Sequence, residues 1–303
     1  MPVMHSIYRE AGAVSVNRDT CTQCGVCARV CPTETLTAEE EKIHIHTDSR
    51  LGCIACGHCM MVCPEGAVTV TGRGLSPDDV TPSPDPATKA GADALEALML
   101  SRRSVRQFSE REVDPALLER IVRMAATAPM GIPPWDVGCT IVRGRGEVQR
   151  LASEVVKGYD GFLKMFKPWL LAVMRPFVAR AKYDMFAHFV RPLAESYVQG
   201  WREGRDTVFH GAPALLIFHH SRYADASDAA IACTYATLAA ESLGLGSTMI
   251  GGAPPILQRN KTLCQSLGIP APNAPSICLI LGYPAIRFQR AIRRRFLGAP
   301  GQP

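Results

Sequence analysis

Apolar and polar positions follow two rhythms along this chain. Near the N-terminus the apolar residues come in short β-like stretches: Val14-Ser15-Val16, Thr35-Leu36-Thr37, Ile43-His44-Ile45-His46 and Ala67-Val68-Thr69-Val70. His44 and His46 alternate on one of these and read as solvent-facing strand residues. Further on, Leu117, Leu118, Ile121, Val122 and Ala125 recur at helical spacing, a stripe for burial along 114–126. Asp114 before Pro115 supplies an N-cap with proline at the first helical position. From Tyr159 to Val198 the chain is rich in Phe, Trp, Tyr, Met, Arg and Lys and reads as helical segments. The longest apolar stretch, Trp169–Met174, is closed by Lys167 and Pro168 before it and by Arg175 and Pro176 after it. It is too short for a transmembrane helix.

Between the two regimes lies Thr71–Pro86, with four prolines among Gly, Ser and Asp, a composition that disfavours helix and strand and makes a semi-extended linker. The expected division is a small module over 1–75, a linker over 76–92 and a large domain over 93–303, with a helical insertion at about 150–205. Charge is uneven across the break. Residues 1–75 hold 6 Lys+Arg and 8 Asp+Glu, leaving 27 and 20 for the rest of a chain whose net charge is +5. An acidic module beside a basic domain suits docking and anion binding. The basic residues are scattered and the total charge is small, which argues against a nucleic-acid partner.

Eight of the twelve cysteines fall into two copies of one spacing: Cys21-x2-Cys24-x2-Cys27-x3-Cys31-Pro32 and Cys53-x2-Cys56-x2-Cys59-x3-Cys63-Pro64. This spacing holds two iron–sulfur cubanes, three thiolates of each motif going to one cluster and the fourth to the other. The expected ligands are Cys21, Cys24, Cys27 and Cys63 for the first, and Cys53, Cys56, Cys59 and Cys31 for the second. Structural zinc usually takes cysteine pairs separated by a longer loop. Disulfides need a secreted context, and residues 1–16 contain Glu10 and lack an apolar core of the signal-peptide kind. The motifs stand 32 residues apart, each with a β-like stretch before and after it. A unit of that size must pack against its copy. Over about residues 13–72 the chain resembles the bacterial two-cluster ferredoxins, which implies a small pseudo-symmetric α+β module with two [4Fe–4S] clusters. The remaining Cys139, Cys233, Cys264 and Cys278 sit in apolar surroundings and read as buried reduced thiols. With air-sensitive clusters, they point to a reducing cytoplasm.

The large domain opens with Arg102-Arg103-Ser104-Val105-Arg106, a compact set of guanidinium forks and a hydroxyl able to hold a phosphate. On charge alone it would read as an exposed basic helix end. Its context includes the 114–126 helix and the loop Ala128-Pro129-Met130-Gly131-Ile132-Pro133-Pro134-Trp135. The segments 211–218, 228–246, 247–252 and 277–284 follow in order. Together they resemble the FMN-dependent nitroreductase family over about residues 95–297, with an unmatched stretch near 150–205. The resemblance implies an α+β sandwich, an intertwined homodimer and FMN between the subunits.

By position, Arg102, Ser104 and Arg106 match the family's phosphate and ribityl or pyrimidine contacts. Pro129, Met130 and Gly131 match the loop beside the isoalloxazine. Gly251 and Gly252 match the pair whose backbone amides approach flavin N5 and O4, and so carry the catalytic role. In the basic run Arg293, Arg294 and Arg295, the last matches a further phosphate contact. Arg103 reads as a surface residue or salt-bridge partner. The loop departs from the family in lacking the Asn and Gln that often precede Pro-Trp, which removes two polar groups near the ring. Phe162, Phe166, Trp169, Tyr183, Phe186 and His188 are candidate pocket walls of a lid; the alternative for each is ordinary core or dimer packing.

A one-electron carrier joined to a flavin domain makes physical sense as a one-to-two-electron converter. Electrons would pass from the clusters to FMN and then, by hydride transfer, to an electron-poor organic acceptor of nitro, quinone or enone type. The donor would be a ferredoxin or similar low-potential protein. Two alternatives stay open: an adaptor subunit that relays electrons to a partner redox protein, and an NAD(P)H-driven nitroreductase with accessory clusters. No strand-linked Gly-x-Gly-x-x-Gly is present.

Overall fold

The computed structural model describes residues 12–49, 51–131 and 136–292. The chain forms two compact units of α+β structure. One comprises residues 1–90 with 129–137 and 221–228; the other comprises 91–128, 138–220 and 229–303. The first unit thus takes in the whole proline-rich stretch 71–86, with two short 3₁₀ turns at Pro77–Asp79 and Pro86–Thr88. Ser76 begins the first of them with a capping box: its hydroxyl accepts from the Asp78 N–H while the Asp79 carboxylate accepts from the Ser76 N–H.

In the first unit, strands β1 (Ala13–Val16) and β4 (Val68–Thr71) pair antiparallel with Ala13 opposite Thr71. Strands β2 (Leu36–Glu39) and β3 (Lys42–Ile45) pair antiparallel with Leu36 opposite Ile45. Helices α1 (Val26–Arg29) and α2 (His58–Val62) lie within the two cysteine runs, carrying Cys27 and Cys59. The strands lie where period-two alternation placed them. Leu36, Ile43, Val68 and Val70 turn inward around Met60 and Leu75, and His44 is exposed.

The repeat is visible in the backbone as well. Three pairs of residues 32 positions apart share left-handed φ values: Gln23 (58°) with Ala55 (54°), Gly25 (75°) with Gly57 (75°), and Glu34 (55°) with Gly66 (60°). Residues alternating between left- and right-handed conformations turn successive N–H groups inward, the geometry of an anion nest. Glycine stands at 25 and 57, where each helix begins. In the same unit the Arg73 guanidinium, almost fully buried, donates to Asp136 at 3.2 Å, and Ser221 Oγ donates to the same carboxylate at 2.7 Å.

The second unit contains helices α3 (Ala92–Ser101) and α4 (Pro115–Ala125), the latter capped by Asp114 Oδ1 accepting from the Ala116 N–H. Its sheet has the order β5–β6–β8–β7, with β5 at Val137–Arg143, β6 at Ala214–His220, β7 at Gly246–Ile250 and β8 at Ala274–Gly282. β8 pairs antiparallel with both β6 and β7. Ala214 to Phe218 are all buried, so β6 is covered on both faces, and its sequence is a continuous apolar run without alternation.

Helix α5 (Arg145–Met165) buries Val148, Leu151, Ala152, Val155, Tyr159 and Phe162, a stripe at helical spacing. Next come α6 (Pro168–Met174), α7 (Arg180–Met185), a π-helical turn at Phe186–Val190, and α8 (Arg191–Arg202), which packs against α5. Helix α9 (Ala226–Ser242) contributes a stripe of small buried residues, Ala229, Ala232, Cys233, Ala236, Ala239 and Ala240. Short helices α10 (Pro254–Leu257) and α11 (Lys261–Ser266) lie between β7 and β8. Among the described residues no helix is long and apolar enough to cross a membrane.

Candidate functional site

None of the eight motif cysteines is in a disulfide, and their mutual electrostatics divide them into two sets. The Cys27 thiol is pushed up chiefly by burial, then by Cys21, Cys63 and Cys24. The Cys53 thiol is raised by burial and by Cys56 and Cys31. That of Cys59 is pushed up to about 12 by burial, then by Cys53, Cys56 and Cys31. Cys63 thus lies near enough to the first run to act on Cys27, and Cys31 near enough to the second to act on Cys53 and Cys59.

Backbone N–H groups point at these sulfurs. Ala55 donates to Cys53 Sγ at 3.4 Å and Ala67 to Cys63 Sγ at 3.2 Å. At Cys31 burial acts to raise the thiol, but hydrogen bonds from Leu36, Thr33 and Thr35 outweigh it and leave the thiol lowered. Among the described residues no three His, Cys, Asp or Glu side chains converge on a single-ion site. Two sets of four thiols with N–H donors fit the multi-iron clusters of this spacing, not a lone zinc.

The Arg102–Arg106 segment is pinned along β7. Ser104 forms a parallel bridge with Ser247, the Val105 N–H donates to the Ser247 carbonyl at 3.0 Å, and Thr248 Oγ1 donates to the Val105 carbonyl at 2.6 Å. Arg102, Arg103 and Ser104 line a cavity of about 300 Å³. Arg103 is half-buried, not a surface residue, and has no ion pair among the described residues. Its Nη1 donates to the Arg102 carbonyl at 2.7 Å, while its Nη2 is buried without a partner. An orphaned buried donor costs about 1–3 kcal/mol, and an anion in the cavity would remove that penalty. The segment fits a phosphate, with Arg103 joining Arg102 and Ser104, two of the three residues the sequence points to.

Arg106 lines a second, larger cavity of about 810 Å³, together with Gly251 and Gly252. Tyr159, from α5, donates its hydroxyl to the Gly252 carbonyl at 2.6 Å. A Cβ on Gly252 would lie 2.6 Å from Tyr197 Oη, so only glycine fits between α8 and this turn. The two tyrosine rings meet edge to face, 5.4 Å apart at 64°. Burial pushes the Tyr159 phenol up to about 12, with Tyr197 adding and Arg259 opposing.

His210 also lines the cavity. It holds a left-handed backbone (φ 55°) because Asp206 accepts from the N–H groups of Val208, Phe209 and Gly211. Burial lowers its pKa; Asp206 opposes this and Arg106 adds to it. Of the six aromatic or His residues proposed as walls, Phe162 and Phe186 line the cavity and stack at 6.3 Å. Phe166, Trp169, Tyr183 and His188 do not, and Trp169 is 64% exposed. No Asp or Glu is among the described lining residues.

Pro129, Met130 and Gly131 fall in the other compact unit and do not line this cavity. Arg295, with Arg293 and Arg294, lies outside the described residues. Tyr197, His210, Arg259 and the role of Arg103 escaped the sequence reading. A glycine pair and an Arg-Ser-x-Arg run are local patterns; these residues carry no local signal.

Residues 13–72 match the 4Fe-4S dicluster domain. No curated protein matches the chain. Among solved structures, a nitroreductase with bound FMN from Bacteroides fragilis NCTC 9343 is 20% identical, covers 69% of this chain and 97% of its own, and has a TM-score of 0.50. A nitroreductase with bound FMN from Desulfitobacterium hafniense DCB-2 is 19% identical, with 66% and 94% covered and a TM-score of 0.49. A BluB-like flavoprotein from Clostridium difficile 630 is 17% identical, with 66% and 94% covered and a TM-score of 0.47. The match to the nitroreductase family runs over residues 99–283, well over half of the chain, and the chain belongs to that family.

Proposed function

We propose that this chain is an iron–sulfur flavoprotein oxidoreductase that takes single electrons through two [4Fe–4S] clusters to FMN and reduces an electron-poor organic acceptor of nitro, quinone or enone type. Family membership makes it an FMN-dependent oxidoreductase, and the dicluster domain supplies the iron–sulfur part. When bound, the clusters supply one-electron transfer and FMN supplies two-electron, hydride-donating chemistry.

The remaining work belongs to the protein. Cys21, Cys24, Cys27 and Cys63 would hold one cluster, and Cys53, Cys56, Cys59 and Cys31 the other. Arg102, Arg103 and Ser104 would take the phosphate, with Arg295 as a further contact. Arg106 would face the ring from one side of the larger cavity, with the Gly251 and Gly252 backbone positioned by Tyr159. Homodimer formation would complete the site. Tyr159, held protonated, orients the Gly252 peptide and removes no proton. No Asp or Glu lies among the described lining residues, and solvent would supply the proton. The twelve thiols and the clusters suit a reducing cytoplasm.

The observation that carries this reading is the roomy cavity at Arg106 and the glycine pair. At about 810 Å³ it lies within the range of about 300–1,000 Å³ usual for small-molecule sites. An adaptor that only relays electrons would need no such space. The test is an anaerobic titration of the reconstituted protein with NADH, NADPH and reduced ferredoxin, following flavin bleaching. Bleaching by ferredoxin alone supports entry through the clusters. Fast bleaching by a nicotinamide would make the clusters an outlet or accessory.

A further inference from the structure

The cavity at Arg106 has an unbalanced charge. Two guanidinium groups, Arg106 and Arg259, face a lining of aromatic and aliphatic side chains with hydroxyls at Ser196 and Thr207, and no Asp or Glu. Neither guanidinium has an ion-pair or side-chain hydrogen-bond partner among the described residues. Some arginines of this unit do find carboxylates, Arg143 with Glu119, Arg150 with Glu147 and Arg202 with Asp160; what sets Arg106 and Arg259 apart is that they line a cavity. The two unmatched cations act on different parts of the wall. Arg106 is felt by Tyr197 and His210, and Arg259 by Tyr159. Tyr159 in turn holds Gly252. Arg259 follows α10 directly, where its own N–H is bonded to the Ile256 carbonyl. The reading of Arg106 as a flavin contact, on which this inference rests, leaves Arg259 as the guanidinium of this lining without a partner among the described residues.

We infer that Arg259 is a specificity residue that binds the carboxylate of an anionic, planar acceptor whose apolar body lies against Phe162, Phe186 and Ile256. A guanidinium fork presents two parallel N–H groups to a carboxylate, and such a charge-assisted pair is strengthened beside apolar walls. Lining aromatic rings favour a flat, electron-poor body over a flexible one. Arg259 itself is exposed, which places the anion at the mouth of the cavity with the apolar body inside.

The test compares 4-nitrobenzoate with its neutral methyl ester on the oxidised, FMN- and cluster-loaded protein. Equilibrium binding is followed by perturbation of the flavin absorbance, and turnover is measured separately. The expected result is a Kd about tenfold lower for the acid, a ratio that shrinks as salt is raised. In Arg259→Gln the ratio should fall to about one, and in Arg259→Lys it should recover in part; flavin content and circular dichroism check that both variants fold. Equal binding of acid and ester by the wild type would overturn the proposal, as would an acid preference that survives in Arg259→Gln. So would a variant that weakens NADPH binding but leaves the acid preference intact, for then Arg259 reads a dinucleotide phosphate. Absence of turnover with every acceptor would instead sink the enzymatic reading, while the binding ratio still reports on Arg259.

Discussion

The Tyr159 hydroxyl donates to the Gly252 carbonyl at 2.6 Å, joining α5 to the turn after β7 across 93 residues of sequence. The contact fixes one peptide of the glycine pair proposed to face the flavin. Tyr159→Phe keeps the buried ring and removes only the donor. It should lower unfolding free energy by about 1 kcal/mol and weaken FMN binding several-fold. Urea unfolding and a flavin titration measure the two effects, and a variant with unchanged FMN affinity would separate this bond from the cofactor.

On its other side, Gly252 is pressed by Tyr197. A methyl group there meets Oη at 2.6 Å and two ring carbons at 3.0 and 3.2 Å, and the ring is buried. Gly252→Ala should therefore cost about 1–3 kcal/mol by overpacking. The double variant Gly252→Ala with Tyr197→Phe should regain part of that loss, because the closest atom is gone. Thermal melts of the two single variants and the double variant test the coupling.

Arg103 offers a prediction in which binding and stability move in opposite directions. Its buried Nη2 lacks a partner among the described residues, so Arg103→Met should leave the stability of the flavin-free protein unchanged or raised. The same change should weaken FMN binding by about tenfold if the phosphate supplies the missing acceptor. Equal FMN affinity in the variant and the wild type would remove Arg103 from the site.

The crossed cysteines predict crossed lesions. Cys63→Ser should damage the cluster bound by Cys21, Cys24 and Cys27, although Cys63 belongs to the other motif. Cys31→Ser should damage the cluster of the second motif. Each should lower the iron content by up to half. Electron paramagnetic resonance of single variants, and of Cys63→Ser combined with Cys24→Ser, distinguishes the sets. The pair should lose no more than one cluster, whereas an uncrossed arrangement would lose both.

His210 and His219 predict the sense of the pH dependence. Burial holds both below the usual value of 6.5; at His219 His220 adds to the effect, while at His210 Asp206 opposes it and Arg106 adds. The unfolded chain then takes up protons at these positions at a higher pH than the folded chain does. Their contribution to stability is present above about pH 6.5 and is lost as pH falls through the folded values. His219 is also tied to Asn273 at 3.0 Å and Thr140 at 3.4 Å. His219→Gln should flatten the fall in urea midpoint between about pH 7.5 and pH 5, measured against the wild type under anaerobic conditions. A parallel decline in both proteins would assign the acid sensitivity to other groups.

The parts legible in the sequence share one property: their information is local. Cysteine spacing sets which thiols a short loop can turn toward one centre. The alternation in Val14–Val16 and Ile43–Ile45, and the stripe and cap of Pro115–Ala125, follow from backbone periods of two and 3.6 residues. The proposed crossing of Cys31 and Cys63 likewise rests on a motif repeated 32 residues apart. The order of the Arg102–Arg106 segment, the glycine pair and the β8 run was enough to expect the larger fold. What tertiary structure alone decided is how distant segments face one another. It placed Tyr159 of α5 and Tyr197 of α8 around Gly252, set Arg259 beside them, and left Arg103 with a buried donor unmatched. It also kept Trp169 and His188 out of a cavity that Phe162 and Phe186 line, although all four belong to the same aromatic stretch. Composition records that such residues are present. Packing decides which of them share a cavity, because burial and electrostatic pairing are properties of positions in space, and residues with no common local pattern become neighbours only when the chain has folded.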